Sequence, residues 1–285
     1  MTRPNPFPLL LLPFVLTACS GQAHGGSDGQ TDDGQTSSTS DTPPIHVRQT
    51  LVDLKDGKPV LEQLYRKALT ACSKLSVPVK PLDSDTVSKL SRSYVETWYE
   101  GNRMTVRQDD WSYDTRQLCL FSPVHHAKLW IVDPDGAQRI DLDRHTGSVD
   151  DNIRFERNKA EQTEAPPDDD LKAAVATQLK QQGQSDLMAQ DAGQRSEAGQ
   201  PCRQIRNAVI DMCVWTGGTK WGFDTTVSNG PYSIVLSRLR SIVLSAQPAD
   251  GGDGQYLSTQ KMTVGTRFDD GVFSRPSGIA MDKAP

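Results

Sequence analysis

The chain has 285 residues, 35% hydrophobic and 24% charged, with 22 glycines and 18 prolines. Its 31 basic and 36 acidic side chains leave a net charge of −5, which argues against wholesale disorder and against a nucleic-acid partner, since that calls for a basic face. No apolar run reaches the roughly 18 residues of a membrane-spanning helix, and the length suits one large or two small domains.

Residues 1–18 read as a secretory leader. Arg3 supplies the positive end, Pro8–Leu16 the short apolar stretch, and Thr17 and Ala18 the small residues before Cys19. The run Leu16-Thr17-Ala18-Cys19 resembles the bacterial lipobox, which implies a lipidated Cys19, with palmitate among the expected acyl chains, as the first residue of the mature protein. By the same resemblance, Ser20 in place of Asp implies the outer membrane, with the protein facing the periplasm. Residues 20–44 hold no aliphatic side chain larger than that of Ala23, so they predict a flexible tether with a reach of roughly 25–30 Å.

Residues 59–75 carry Leu61, Leu64, Tyr65, Leu69 and Cys72 at helical spacing after Pro59, which predicts an amphipathic helix. From Ser91 the period becomes two. Val95, Thr97 and Tyr99 alternate with Tyr94, Glu96 and Trp98, and Glu100-Gly101-Asn102 turns the chain into a strand bearing Met104 and Val106. Leu118–Phe121 and Lys128–Val132 continue the pattern, Asp133-Pro134-Asp135-Gly136 makes a turn, and Gln138–Asp143 returns. Residues 157–200, rich in acidic side chains, predict a charged insertion with a helix at about 168–182. Further strands are expected near 202–206, 209–215, 219–227, 255–264 and 271–275. For 232–246 a helical stripe competes with alternation, and its β-branched residues favour a strand. The whole of 45–285 is read as one domain.

Four cysteines remain beside Cys19. An even number in an exported chain predicts two disulfides. Cys202 and Cys213 are symmetric about Asn207-Ala208, so a hairpin centred there sets them directly opposite, within disulfide reach. Cys72 and Cys119 are then the second pair.

The organisation resembles the LolA/LolB-like periplasmic lipoprotein carriers. The likeness rests on the meander with E-G-N, W-S-Y-D, D-P-D-G and I-D-L-D, on A-G-Q-P-C and C-V-W, and on the ending Phe273-Ser274-Arg275-Pro276-Ser277-Gly278. It implies an α+β fold: a curved antiparallel half-barrel with a few covering helices and, in some relatives, an acyl-chain cavity on the concave face. It brings no ligand-binding residue to this chain. Residues 59–75 and 168–182 are the expected covers, with Trp98, Met104, Trp130, Trp215 and Phe273 the bulky side chains expected inside.

Signatures of catalysis and metal binding fail on their own terms. Gly25-Gly26-Ser27-Asp28-Gly29 lies in the tether, without the strand and helix of a nucleophile elbow. His125 and His126 are adjacent and point to opposite faces of a strand. Ala137 and Arg144 stand where a calcium loop needs ligands, and Gly217-Gly218-Lys220 lacks phosphate-loop spacing, so Trp215–Trp221 reads as a hairpin. No catalytic residue, cofactor or metal is therefore expected. The expected function is non-enzymatic: a lipid-anchored module that takes a lipid or acylated protein on its concave face or, as the alternative, binds a periplasmic protein as inhibitor, immunity or assembly factor.

Overall fold

The computed structural model describes residues 42–155, 190–225 and 236–283, together with 177, 178, 181 and 182. The leader, Cys19, the tether up to 41 and most of the expected helix 168–182 lie outside the described residues. Of that helix, Thr177, Gln178 and Gln181 are helical, and the Gln182 amide donates to the Gln178 carbonyl.

Thirteen strands among the described residues form one sheet. In chain order they are β1 (Ile45–Lys55), β2 (Lys58–Pro59), β3 (Arg92–Glu100), β4 (Arg103–Gln117), β5 (Leu120–Val132), β6 (Ala137–Asp141) and β7 (Thr146–Asp150), then β8 (Gln190–Glu197), β9 (Gln200–Arg206), β10 (Ile210–Trp215), β11 (Val243–Pro248), β12 (Gly254–Val264) and β13 (Ala280–Lys283). Their spatial order is β13-β7-β6-β5-β4-β3-β1-β12-β11-β10-β9-β8, with β2 folded back on β1. Every pairing is antiparallel except β13 on β7. The helices are α1 (Val60–Cys72), α2 (Ser84–Lys89) and α3 (Leu236–Arg240). The fold is therefore α+β and dominated by an open antiparallel sheet.

Alternation along the central strands separates two faces. Ile45, Val47 and Gln49 of β1 oppose Tyr99, Thr97 and Val95 of β3, and Met104, Val106, Trp130 and Val132 continue this core face across β4 and β5. The principal hydrophobic cluster runs from Ala137 on β6 to Cys202 on β9. The sheet bends to close it. Tyr99 on β3 and Trp215 on β10 both touch the Phe223 ring, with centroids 5.3 and 5.5 Å away. Four strand spacings separate β3 from β10, about 19 Å in a flat sheet. Bulges between Arg48 and Gln49 and between Cys213 and Val214 add to the bend and change which side chains face the core.

Several local expectations are corrected. Cys202 does not oppose Cys213; it pairs with Trp215, while Cys213 pairs with Gln204. The Asn207 carboxamide oxygen accepts from the Val209 and Ile210 amides, which draws residues 207–209 into the turn and offsets the register by two. An even offset keeps both cysteines on one face, and they bond diagonally with Cα atoms 5.5 Å apart. Residues 190–197, expected within the insertion, form the edge strand β8. Residues 236–240 are helical and strand structure begins only at Val243. Thr219–Trp221 and Asp270–Phe273, both expected as strand, are 3₁₀ turns, the second capped by the Asp269 carboxylate accepting from the Gly271 amide.

At the first of these turns the hairpin reading fails because the Trp215 ring packs on glycine backbone. A methyl group at Gly218 would overlap that ring and lie 2.7 Å from Phe223 Cδ2. Gly218→Ala is accordingly expected to destabilise by about 1–3 kcal/mol through overpacking. Denaturant titration checks this, and an unchanged midpoint would contradict the packing described.

Candidate functional site

α1 does not cover the core face as the sequence implied; the other expected cover, 168–182, lies mostly outside the described residues. Tyr65 of α1 packs edge-on against Tyr113 and Phe121, with centroids 5.6 and 5.1 Å away. On β4 and β5 those two rings alternate out of phase with Met104, Val106, Trp130 and Val132. α1 and α2 therefore build a second cluster on the opposite face, near the tip of the long β4–β5 hairpin. There Cys72 and Cys119 are bonded. Cys119 sits in the turn with φ +64°, and its carbonyl accepts from the Lys80 amide. Leu118 beside it is exposed.

Short segments roof the core face instead. Phe155, which follows β7, packs near Tyr99 with its amide donating to the Asp133 carbonyl. Phe223 wedges between Tyr99 and Trp215, and Trp221 stacks on Trp215 at 6.1 Å. Backbone bonds from the Trp215 amide to the Ile242 carbonyl and from the Asp224 amide to the Arg240 carbonyl tie the β10–β11 connection down. The Tyr99 hydroxyl donates to the Arg238 carbonyl at 3.0 Å, and Arg238 Nη1 donates to Thr97 Oγ1 at 2.9 Å.

Arg238 is the unexpected member. It is 7% exposed, and Thr97 and Tyr99 beside it are wholly buried. Burial lowers its pKa, with Tyr99 opposing. A guanidinium nevertheless stays charged in proteins. Among the described residues no carboxylate forms an ion pair with it. Nothing in the run Leu236-Ser237-Arg238-Leu239-Arg240 signals the burial of one arginine.

Of the bulky residues expected inside, Met104 and Trp215 are buried in the principal cluster and Trp130 packs against it. Trp98 instead stacks on His46 of the opposite face, with centroids 5.1 Å apart. Phe273 stays half-buried beneath the Arg103 guanidinium, 4.3 Å from its ring centre. Both corrections follow from local structure: the alternation of β3 sends Trp98 away from Thr97 and Tyr99, and the 3₁₀ turn takes Phe273 off the sheet.

The opposite face carries paired charge. Arg48 meets Glu96 at 2.7 Å, Arg107 meets Asp109 at 2.8 Å, and His125 Nε2 lies 2.9 Å from Asp109. Burial raises the Asp109 pKa, but hydrogen bonds and charge from Arg107 and His125 outweigh it and leave the carboxyl below its usual range. Burial lowers the His46 pKa despite Glu96, with Arg48 and Lys261 adding to the fall. His126 points the other way, 3.7 Å from Asp143. No group of three metal-ligating side chains gathers among the described residues. At the β6–β7–β13 edge an open depression of about 290 Å³ is lined by Lys128, Arg139, Ile140, Asp141, Thr146, Gly147, Ser148 and Asp282, where an acyl chain would desolvate four charged side chains.

No family model matches the chain, and no curated protein matches it. Among solved structures, an uncharacterized conserved protein from Thermus thermophilus is similar at 4% identity with a TM-score of 0.38, over 85% of this chain and 91% of that one. Two crystal forms of PNGF-II align at 7% and 8% identity, with TM-scores of 0.32 and 0.31, over 85% of this chain and 32% and 31% of theirs. Likenesses at these scores carry no argument about fold or function.

Proposed function

We propose that the chain is a non-enzymatic outer-membrane lipoprotein, anchored through Cys19 and facing the periplasm, whose sheet is a LolA/LolB-like half-barrel that takes the acyl chain of a lipid or acylated protein on its core face. The observation that carries this reading is the roof. Among the described residues, a long, bent, largely apolar face is covered by the five-residue α3 and by single aromatic side chains from the connections. Side chains of this kind can swing aside without unfolding a strand, and an acyl chain laid in their place buries apolar surface worth roughly 25 cal/mol per Å² before binding costs. The lipobox resemblance supports the membrane location on the same terms.

A specific observation favours a second reading, the protein-binding envelope module. The row Phe155, Tyr99, Phe223, Trp215 and Trp221 fills the core face with rings, as a closed core would. One experiment separates the two. Full-length protein is purified from the envelope in mild detergent, and co-purifying lipids and proteins are quantified by mass spectrometry. An acyl species near one per chain, beyond those attached to Cys19, is the expected result. Absence of lipid together with one stoichiometric protein would transfer the assignment to the second reading.

A further inference from the structure

Arg238 gives the proposed ligand a chemical class. We propose that its guanidinium is the counter-ion for an oxyanion, a carboxylate or phosphate, borne on an acyl chain that lies against the core face; this rests on the acyl-binding reading above.

A guanidinium offers five N–H donors in a rigid fork and no acceptor. In Arg238 one nitrogen, Nη1, bonds the neutral Thr97 hydroxyl, and no carboxylate among the described residues completes the fork. The group is not reaching for solvent along an apolar stem, as long basic side chains usually do. It turns inward, toward fully buried Thr97 on the core face, while its own carbonyl is fixed by the Tyr99 hydroxyl. Burying a charge beside a neutral hydroxyl alone is costly, and an anion with matching geometry beside it offsets that cost. Planar carboxylates and phosphates match the arginine fork with two parallel bonds. The surroundings select the rest of the ligand. Tyr99 beside Arg238 has the Phe155 and Phe223 rings against its own, so the oxyanion's carrier is apolar too. The ligand class is thus an amphipathic acid, such as a fatty acid or the phosphate end of a lipid.

The test uses purified, delipidated full-length protein held in amphipol, with pyrene-labelled hexadecanoic acid as probe and its methyl ester as neutral twin. The wild type is expected to bind the acid at least tenfold more tightly than the ester. Arg238→Met is expected to weaken the acid to the level of the ester and leave the ester unchanged, while Arg238→Lys retains part of the preference. The acid-to-ester ratio of the wild type decides the matter even if the methionine variant fails to fold. Equal binding of acid and ester by the wild type overturns the counter-ion role and leaves the acyl site intact. Binding of neither overturns the acyl reading itself. Displacement of the acid by millimolar inorganic phosphate overturns the acyl-borne form and identifies free phosphate as the occupant; no displacement supports it.

Discussion

With Cys72 and Cys119 both changed to alanine, the protein is expected to lose about 4 kcal/mol of stability. The bond closes a loop with a sequence separation of 47 residues, and in the chain-entropy model the unfolded state gains most when a long loop opens. The contacts tell the same story. The bond joins the last residue of α1 to the turn at the tip of the β4–β5 hairpin, and around it lie Tyr65, Leu82, Val87, Leu90 and Phe121. Those side chains form a cluster separate from the principal core, so releasing the staple loosens α1 and α2 together. The pair Cys202–Cys213 is the internal control. Its separation is 11 residues, and the β9–β10 ladder already restrains the same loop, so its removal is expected to cost less, roughly 3 kcal/mol or below. Urea titrations of the two double variants, compared at equal slope, give the ranking. A loss under 1 kcal/mol for the Cys72–Cys119 pair would show that α1 holds its place without the bond.

Cys19→Ser is expected to have an all-or-none effect on location. If Cys19 carries the acyl chains, each buried methylene contributes about 0.8 kcal/mol, and two or more chains make detachment rare. Removing the thiol removes the attachment point, so the protein leaves the membrane fraction for the soluble fraction or is retained with an uncleaved leader of greater mass. Cell fractionation with intact-mass measurement distinguishes these outcomes. Membrane retention of a normally processed protein would refute the anchor.

The meander from Arg92 to Asp141 was legible in part. β3, the start of β4 and the end of β5 alternate cleanly, and the Asp133 carboxylate accepts from the Asp135 and Gly136 amides at its turn. Leu118 and Cys119, read as strand, instead form the β4–β5 turn, and β5 runs unbroken from Leu120 to Val132. β1 was not legible. Its core-facing series Ile45, Val47, Gln49, Leu51 is broken by a polar residue, and Gln49 is buried because its Nε2 donates to the Val243 carbonyl and to Thr259 Oγ1. That arrangement repairs the place where β11 parts from β12, pairing with it only at Ser245 and Ala246, and no local pattern announces it. The two-residue turn Asp56-Gly57, both with positive φ, was a readable hairpin signal beside it. α2 had a similar marker, Asp83 accepting from the Thr86 amide at 2.8 Å.

The candidate site was harder to read. The helical period of 59–75 correctly placed Tyr65 and Cys72 on a buried side, yet periodicity says only that a face is covered and not which side of the sheet covers it. Most of the roof comes from 216–225, where glycines admit the Trp215 ring, and from 236–242, where α3 interrupts an alternating pattern. Arg238 is hidden further, since charge ordinarily predicts exposure. The inward turn of that side chain becomes visible only when β3 is in place.

The position of β1 between β3 and β12 has a consequence for how the chain reaches this state. Ile45 pairs with Tyr99 on one side and with Val264 on the other, so a strand made at the start waits for one made near the end. Pairings of such long range dominate the time needed to fold. Until β12 arrives, β1 and β11 are both open strand edges, and open edges invite pairing with other chains. Fragments ending before Gly254 are therefore expected to aggregate rather than to persist as half-proteins, and refolding from denaturant is expected to be slow and concentration-sensitive.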